Sequence, residues 1–372
     1  MANDDNTIGY GGNKIFKPLK MISKGISTKQ ISARVKDLHK NKEFWSHIIE
    51  INDTINFETH NYFKRISSRF VLLPLTTRMI SSPGALYCKG HLDYSTDTVP
   101  IKLKWFDLNK EVFLSESSQI YLELQLILNN LKSVYCVYNS FRKEKSDFSH
   151  LSEFHHIEYE GKVTQEENKK IVLGWIRRNI SKLLRNNIDD LSYFLFDDDI
   201  EYLKNLSSGK KVDEVTFEQA LDILYRATKN PKYKKFSTQN FGAWEEIKLT
   251  SEFDNMVIIS EFPLYEISFY HAPKIKNNKE VGENSDFIWP YYREFVGSGH
   301  RVRSFAELML KSKKFHLPVK DYEPYVESRK LKGYEETSGF GIGWERFLQG
   351  LLKMPYIYSA SLFPRIHSTI FP

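Results

Sequence analysis

The feature that most constrains the fold is a pair of strand-like segments around a charged turn. Ser133–Ser140 is apolar and β-branched, and the alternating segment His150–Glu160 follows the turn Arg142–Asp147. Short alternating runs predict strands, and a short turn between them predicts antiparallel pairing. Further strand candidates lie at Phe70–Leu75, Val257–Ser260, Ile267–Tyr270, Asp286–Trp289 and Glu294–Val296. Because loops or hairpins join most of them, the sequence predicts an α+β domain built on an antiparallel β-sheet flanked by helices.

Helical periodicity divides the rest of the chain. Apolar residues recur at helical spacing from about Asp37 to Arg69. A helix is also expected around Ser117–Leu131, and residues 164–230 form a helical insert containing Ile171–Leu184 and Phe217–Thr228. Two later helix candidates are Phe305–Ser312 and Trp344–Leu352. Residues 1–35 are polar and basic, so we expect an N-terminal arm followed by one domain over 36–372.

The composition narrows the class of protein. Hydrophobic residues make up 41% of the 372 residues and aromatic residues 14%, which is enough for a substantial core. The net charge of +6 suits an anionic partner without requiring one. No signal peptide and no apolar run of about 18 residues is present, so we expect a cytoplasmic protein outside the membrane. Cys88 and Cys136 lie in apolar surroundings and are expected to be buried free thiols.

The charged turn and the strand after it carry one candidate site. Arg142 can hold a phosphate by charge-assisted hydrogen bonds, and Glu144 follows two residues later. His150 and Glu153 open the returning strand, where the aromatic ring of Phe154 can stack on a base. Taken alone, a charged turn is usually only solvated.

A glycine-rich segment near the C-terminus carries the second candidate site. Gly339-Phe-Gly-Ile-Gly343 is followed by Trp344-Glu345-Arg346. Small residues let a strand lie close beneath a ligand, and Arg346 then projects from the start of the next helix. A structural strand-to-helix turn is the ordinary explanation of such a run. The combination is more specific, because the Phe-Arg-x-Glu turn precedes it by about 200 residues.

Together these motifs resemble class II aminoacyl-tRNA synthetases, and within them the asparaginyl/aspartyl group. Phe70–Leu75 with its helix is similar to motif 1, which implies a homodimer interface around Pro74. Phe141–Glu160 is similar to motif 2, and Gly339–Arg346 with Phe363–Arg365 to motif 3. Phe113–Glu123 and Asp286–Arg301 also follow this group's order. The resemblance implies the class II catalytic fold, ATP and Mg²⁺ as cofactors, and an amino acid as substrate.

The resemblance also implies residue roles. Arg142, Glu144 and Arg346 would be catalytic. The nucleotide would be held by Arg142, His150, Glu153, Phe154, Glu294 and Arg346, with the adenine between Phe154 and Arg346. Asp286 and Glu294 would hold Mg²⁺, a cation that prefers oxygen ligands. The amino acid would contact Ser117, Gln119, Glu123, Arg301 and Arg329. Aspartyl enzymes place a lysine where this chain has Leu122, whereas Glu123 matches asparaginyl enzymes and could accept bonds from a side-chain amide.

Four departures from the family pattern affect the expected substrate. Residues 1–35 are too few for the family's five-stranded OB-fold barrel, so no anticodon-binding domain is expected. The glutamate that receives the substrate ammonium falls at Ser81, and an arginine of motif 2 falls at Ser149. The His-Gly before motif 3 is Thr337-Ser338, so the family's substrate arginine aligns only loosely, with Arg329 or Lys330.

Three functions remain open from the sequence. The first is a tRNA-independent ligase that activates aspartate, asparagine or a related acid as an acyl-adenylate. It would pass the acyl group to ammonia or another small amine, as in archaeal asparagine synthetases related to asparaginyl-tRNA synthetase. The second is a truncated synthetase that charges tRNA or a carrier protein through the basic arm (Lys14, Lys17, Lys20, Lys24 and Lys29). The third is an inactive paralogue that binds a partner or senses an amino acid.

Overall fold

A computed structural model describes residues 7–88, 98–128, 130–210, 212–253 and 255–371. The strands are β1 (Ile8–Tyr10), β2 (Lys14–Phe16), β3 (Arg69–Phe70), β4 (Thr76–Thr77), β5 (Lys102–Leu103), β6 (Val112–Leu114), β7 (Ser133–Phe141), β8 (Glu153–Gly161), β9 (Asp213–Thr216), β10 (Val257–Ser260), β11 (Pro273–Lys276), β12 (Lys279–Gly282), β13 (Asn284–Ile288), β14 (Glu294–His300) and β15 (Ser338–Gly343).

The helices alternate with these strands in blocks. They are α1 (Pro18–Met21), α2 (Thr28–Ser32), α3 (Arg34–Lys40), α4 (Lys42–Arg65), α5 (Gly84–Tyr87), α6 (Gln119–Gln125), α7 (Gln165–Asn186), α8 (Ile188–Phe194), α9 (Asp197–Ser207), α10 (Phe217–Thr228), α11 (Ala243–Thr250), α12 (Phe305–Lys314), α13 (Val319–Glu327) and α14 (Trp344–Leu351). In the described part of the chain, no helix is long and apolar enough to cross a membrane.

An eight-stranded sheet organises the domain in the order β3-β7-β8-β15-β14-β13-β10-β9. The pairs from β7 to β10 are antiparallel, whereas the two edge strands, β3 and β9, pair in parallel. The predicted α+β class and its antiparallel sheet are therefore confirmed. The predicted hairpin is the β7–β8 pair, with Ser133 opposite Gly161 and Phe141 opposite Glu153.

Alternation along the central strands gives the sheet two different faces. On β8, Ile157 and Tyr159 enter the main core, where Tyr159 stacks on Phe340 of β15 with ring centroids 5.1 Å apart. Because successive side chains point to opposite faces, His156 and Glu158 emerge on the other side. One face of the sheet thus packs on α4, α7 and α14, and the opposite face remains open to a cavity.

Local sequence signals explain where the long helices begin. The Thr164 hydroxyl accepts a hydrogen bond from the backbone N–H of Glu167, whose carboxylate accepts one from the N–H of Thr164. This reciprocal capping satisfies N–H groups that a helix N-terminus leaves free, so α7 begins at Gln165. Thr216 and Gln219 repeat the arrangement at α10. The predicted helical insert also contributes β9, which extends the sheet beside β10.

Two strand predictions are wrong, the first in its length and the second altogether. The segment Phe70–Leu75 pairs only at its start, where β3 ends at Phe70 and the backbone N–H of Val71 donates to the carbonyl of Tyr135 at 3.0 Å. Ile267–Tyr270 is not a strand, and a short 3₁₀ helix (Leu264–Glu266) precedes it instead. The sequence pattern in that stretch comes from burial of Phe269 and Tyr270 in a second apolar cluster.

The segment expected to be an arm packs along the domain where it is described. Ile8, Tyr10, Phe16 and Met21 are buried in the main core, and Ile31 in a smaller cluster. Arg34 donates to the carbonyls of Tyr358 and Ser361 at 2.9 Å each and lies 4.3 Å from the ring centroid of Trp45. Residues 1–6 of the expected arm lie outside the described residues.

Candidate active site

A polar cavity of about 720 Å³ lies on the open face of the sheet. A smaller cavity of about 70 Å³ continues from it beside Phe154 and Ile357. Nine of the residues predicted for the site line the larger cavity, namely Ser117, Gln119, Arg142, Glu144, His150, Asp286, Glu294, Arg301 and Arg346. These residues come from five separate stretches of sequence, and the sheet brings them together.

We name the two ends of this cavity by their arginines. The Arg346 end comprises Arg142, Glu246, Asp286, Glu294 and Arg346. The Arg301 end comprises Ser117, Gln119, Tyr270, His271 and Arg301.

Arg346 is held rigidly at its end of the cavity. Its Nε donates to the carbonyl of Ser149 at 3.1 Å and one terminal nitrogen donates to the carbonyl of Glu294 at 2.9 Å. The neighbouring Glu345 accepts hydrogen bonds from the backbone N–H and ring Nδ1 of His155, which raises the pKa of that histidine. The start of α14 is therefore fixed to β8, and Arg346 with it.

Arg142 lies against the ring predicted to hold a base. Its guanidinium carbon is 5.2 Å from the ring centroid of Phe154, which also packs edge-on against His156. Both Phe154 and Arg346 line the smaller cavity, as expected for two walls of one pocket. A guanidinium over an aromatic ring is a favourable contact that holds the arginine in place.

Three carboxylates gather at the Arg346 end. A Cβ added to Gly297 would fall 2.9 Å from Glu294 Oε1 and 3.9 Å from Asp286 Oδ1, so both groups converge over this glycine. Burial and then repulsion between the two raise the pKa of Asp286 well above its ordinary value. Glu246, which sequence reasoning missed, accepts two hydrogen bonds from Arg293 at 3.1 Å each. Burial opposes its ionisation, but Arg293 keeps the pKa of Glu246 below its ordinary value.

The convergence of Asp286 and Glu294 fits a divalent cation. In the described part of the chain, no group of three or more His, Cys, Asp or Glu residues is arranged to hold a metal ion by itself. Two buried carboxylates whose pKa values are both raised by burial, over a glycine that leaves room, match a Mg²⁺ shared with phosphate oxygens. The fit depends on oxygen donors from a bound ligand.

The turn between β7 and β8 is also ordered by charge. The Asp147 carboxylate accepts from the N–H of Ser149 at 2.7 Å and lies 2.9 Å from His150 Nδ1. Although burial opposes ionisation, these contacts lower the pKa of Asp147 to about 2. Ser149, where the family pattern has an arginine, is thus part of the turn, and Arg293 lies 3.4 Å from His150 Nε2.

At the Arg301 end, Arg301, Gln119 and Ser117 are already paired with groups of the protein. Arg301 is 2% exposed and donates three hydrogen bonds of 2.8–3.2 Å to Glu160, which is fully buried. Gln119 donates to the carbonyl of Tyr159 at 2.9 Å and to Glu160. Ser117 donates to Glu158 at 2.5 Å. Burial raises the pKa of Glu158 to about 7, even though the Glu158 carboxylate accepts the hydrogen bond from Ser117.

Two of the predicted amino-acid ligands are elsewhere. Glu123 and Arg329 form a buried ion pair with each other and are not among the described residues that line the cavity. The hydroxyl of Tyr334 donates to Glu123 at 2.8 Å, and Tyr325 donates to it as well. Glu123 is one helical turn beyond Gln119 on α6. At that position its carboxylate lies past the cavity and contacts the partners named above. The structure pairs Glu123 with Arg329 away from the cavity lining, and their contact with the amino acid stays a prediction.

Glu153 does not line either cavity among the described residues. Its carboxylate accepts from the side-chain amide of Asn139 at 2.5 Å across the β7–β8 hairpin. Glu153 and Phe154 are neighbours on one strand and point to opposite faces, so both could not face the same ligand. The structure therefore does not bring Glu153 to the cavity, and a nucleotide contact from Glu153 stays a prediction.

Ser81 lies at the position where the family pattern has a glutamate, and its side chain pairs within the protein. The Ser81 hydroxyl donates to Glu116 Oε1 at 3.1 Å, and the backbone N–H of Ser82 donates to the same oxygen. Glu116 is buried, and burial raises its pKa to about 7. The backbone carbonyl of Thr337 accepts from the N–H of Arg301 at 2.9 Å, so this departure supports the sheet edge.

Sequence reasoning also missed several cavity residues. They are His156, Glu158, Lys232, Glu246, His271 and Arg293. The even-numbered spacing of His156 and Glu158 on β8 was a usable signal, because these residues share a face with each other and not with the core. Nothing in the local sequence marks Lys232 or His271, which reach the cavity from loops.

The sequence of the chain is similar to that of one known family of proteins. Residues 28–367 match the family model described as "tRNA synthetases class II (D, K and N)". The asparagine–tRNA ligase of Pyrococcus horikoshii is 32% identical over 282 residues, which is 73% of this chain and 60% of that protein. A probable cytoplasmic asparagine–tRNA ligase of Schizosaccharomyces pombe is 30% identical over 69% of this chain. The chain spans about 60% of the length of the archaeal relatives it matches.

Solved structures give the same picture of the fold. The asparaginyl-tRNA synthetase of Pyrococcus horikoshii complexed with asparaginyl-adenylate superposes with a TM-score of 0.80 at 26% identity, covering 93% of this chain and 74% of that one. The Entamoeba histolytica asparaginyl-tRNA synthetase superposes with a TM-score of 0.75 at 20% identity, covering 96% of this chain and 77% of that one.

Proposed function

Because the chain belongs to the class II tRNA synthetases of the aspartate, lysine and asparagine group, we propose that it activates an amino acid with ATP as an aminoacyl-adenylate. The single observation that carries this proposal is the convergence of Arg142, Asp286, Glu294 and Arg346 at one end of the cavity. The structure of an archaeal relative complexed with asparaginyl-adenylate gives further support. The acid would be asparagine, aspartate or a related amino acid.

The proposed reaction needs no protein nucleophile. The carboxylate of the amino acid attacks the α-phosphorus of ATP in line, and pyrophosphate leaves. Arg142 would neutralise the charge that builds on the α-phosphate, while Phe154 and Arg346 enclose the adenine. Holding both reactants in one cavity removes much of the entropic barrier to their encounter.

Two carboxylates would complete the nucleotide site. When bound, Mg²⁺ would neutralise phosphate charge, and Asp286 and Glu294 would hold it. Without a cation these carboxylates repel each other, as the raised pKa of Asp286 indicates. Glu246 would keep Arg293 beside them through its two hydrogen bonds.

Amino-acid-dependent exchange of pyrophosphate into ATP tests the proposal. A panel of amino acids would be assayed with and without tRNA, and asparagine or aspartate should support exchange without tRNA. No exchange with any acid, by a folded protein that binds ATP, would contradict the proposal and favour an inactive paralogue. Exchange only in the presence of tRNA would favour a synthetase that acts on tRNA.

We further propose that the acyl group passes to ammonia or another small amine. The resemblance to archaeal asparagine synthetases supports this acceptor. The competing route through a basic arm loses support, because Tyr10, Phe16 and Met21 pack the segment onto the domain. Incubation with ATP, ¹⁵N-ammonia and either asparagine or aspartate should release AMP and yield a labelled amide of the carboxyl that was activated, detected by mass spectrometry. Aminoacylated tRNA in place of the labelled amide would overturn this choice of acceptor.

We also propose that a second copy of this chain covers the motif 1 surface. Five apolar side chains of α4 and the segment after it are exposed, namely Ile49, Phe57, Phe70, Leu72 and Leu75. Leu72 is 87% exposed, which is unusual for leucine outside an interface. Leu72→Lys should convert a dimer to a monomer in light scattering. Phe106→Lys, at a side chain that is 77% exposed elsewhere, is the matched control and should leave the mass unchanged.

A further inference from the structure

His271 reaches the cavity from a loop that is tied firmly to the sheet. The N–H of Ala272 donates to the carbonyl of His300 at 2.8 Å, and the N–H of Val302 donates to the carbonyl of Tyr270 at 2.9 Å. Lys311 donates to the carbonyl of His271 itself. With its backbone held on three sides, the imidazole has a fixed place beside Arg301.

Gly299 of β14 makes the space that His271 occupies. A Cβ added to Gly299 would fall 2.1 Å from His271 Nδ1, so the ring lies directly on the bare backbone. Nδ1 is buried and has no hydrogen-bond partner among the described residues. His271 is half-buried and is one of the residues that line the cavity.

The surroundings of His271 favour an uncharged imidazole. Burial first, and then the positive charges of Arg301 and Lys311, lower the pKa of His271 well below its ordinary value. A neutral imidazole carries one proton, and a proton on the covered Nδ1 would be left without an acceptor. The proton is therefore assigned to Nε2, from which it can be donated to a ligand oxygen.

The charges around His271 do not favour a carboxylate ligand. Glu160 takes three hydrogen bonds from Arg301 and raises its pKa, so that this cation is already neutralised by a protein group. Glu158 lines the same part of the cavity. A second carboxylate placed here would be buried beside acidic groups without a free cation, which is costly. An amide could accept from His271 and donate to a glutamate.

We propose that His271 determines specificity by donating a hydrogen bond to the side-chain oxygen of an uncharged, amide-bearing amino acid. The Arg301 end then prefers asparagine to aspartate as the acid that is activated. This inference rests on the proposed function, because it concerns the side chain of the acid that reacts with ATP.

Steady-state pyrophosphate exchange with asparagine and aspartate tests the inference. The wild type should show a kcat/KM for asparagine at least about 10²-fold above that for aspartate. His271→Leu should raise the KM for asparagine about 10- to 100-fold, with the KM for ATP unchanged. His271→Asn, which restores a donor, should recover part of the loss. Gly299→Ala, which displaces the ring, should act in the same direction as His271→Leu.

The outcomes separate this inference from the proposed function. His47→Asn removes a histidine that pairs with Asp190, on the α4–α8 contact, and should leave both substrates unaffected. Exchange that occurs but prefers aspartate, or a KM for asparagine unchanged in both His271→Leu and Gly299→Ala, overturns the inference alone. Wild-type protein that binds ATP but exchanges with no amino acid overturns the proposed function and this inference with it. Melting curves identify any variant that fails to fold, and His271→Asn then decides.

Discussion

The Arg346 end and the Arg301 end of the cavity arrange their charges in opposite ways. At the Arg346 end, Asp286 and Glu294 repel each other over Gly297, so their electrostatic balance is completed only by a ligand. At the Arg301 end, Arg301 is matched by Glu160 within the protein. The first end is suited to a polyanion with its cation, and the second to a neutral group that is recognised by hydrogen bonds. Binding energy and selectivity are therefore expected to come from different ends.

The largest expected effect is at Arg346. Arg346→Ala should lower pyrophosphate exchange by about 10²- to 10³-fold, because one preorganised cation at a charged centre contributes about 3–4 kcal/mol. The KM for ATP should rise as well, since Arg346 also lines the smaller cavity. Light scattering and melting curves should show an intact fold. Exchange within tenfold of wild type would show that the nucleotide does not lie at this end.

The buried pair behind the Arg301 end should act on stability instead. Glu123→Gln leaves Arg329 without its charge partner, which should lower the free energy of unfolding by roughly 3–5 kcal/mol. Urea denaturation measures this loss. The double variant Glu123→Leu/Arg329→Leu should recover part of it, because no unpaired charge remains. A selective rise in the KM for the amino acid, without a loss of stability, would return Glu123 to the substrate site.

Asp286→Asn should weaken the binding of Mg²⁺ and also remove the repulsion between Asp286 and Glu294. Exchange should fall about 10²-fold and require more Mg²⁺, because one oxygen ligand of the cation is weakened. The same change should raise the melting temperature in Mg²⁺-free buffer, since it removes a like charge from a buried pair. Asn284→Ala, on the same strand, is a control for the strand itself. A lower melting temperature with an unchanged Mg²⁺ requirement would mean that Asp286 is structural.

The smallest expected effect is the pH response of Glu116. Burial raises its pKa from 4.5 to about 7, so the stability that the protonated group contributes is present below pH 4.5 and is lost as the pH rises through 7. Glu116→Gln stays neutral, so its stability relative to wild type should rise by at most about 3 kcal/mol between pH 5 and pH 8. Urea denaturation at both pH values measures the difference. Glu201→Gln, on the surface of α9, should show no such trend.

The sequence predicted one end of the cavity better than the other. Arg142 and Arg346 follow strands whose alternation is legible, so their approach to one face could be expected before the structure. The ion pair between Glu123 and Arg329 could not be predicted, because their mutual distance depends on how α6 packs against the segment after α13. Helical spacing does not show which of two possible partners lies nearer to Glu123, because that distance depends on tertiary packing.

The same limit applies to the loops around the sheet. The β7–β8 hairpin and the helices α7 and α10 were predictable, since periodicity and capping residues are local signals. His271 and Glu246 were not, because each reaches the cavity through hydrogen bonds to distant segments. The strand expected at Ile267–Tyr270 was wrong for a related reason, since apolar residues that enter a core from a loop resemble a buried strand.

Glycine occurs at alternate positions on the cavity face of β14 and β15, at Gly297, Gly299, Gly339 and Gly341. His271 covers Gly299, and Gln119 and Glu160 cover Gly339, whereas Gly297 and Gly341 line the cavity. A ligand over Gly297 and Gly341 rests on main chain, which a substitution can change only by adding atoms to it. Selectivity must then be set by side chains that arrive over the rim, as His271 does. Such rim residues can be exchanged while the floor that supports the chemistry stays as it is, so enzymes that activate different acids are reachable from this scaffold by few replacements.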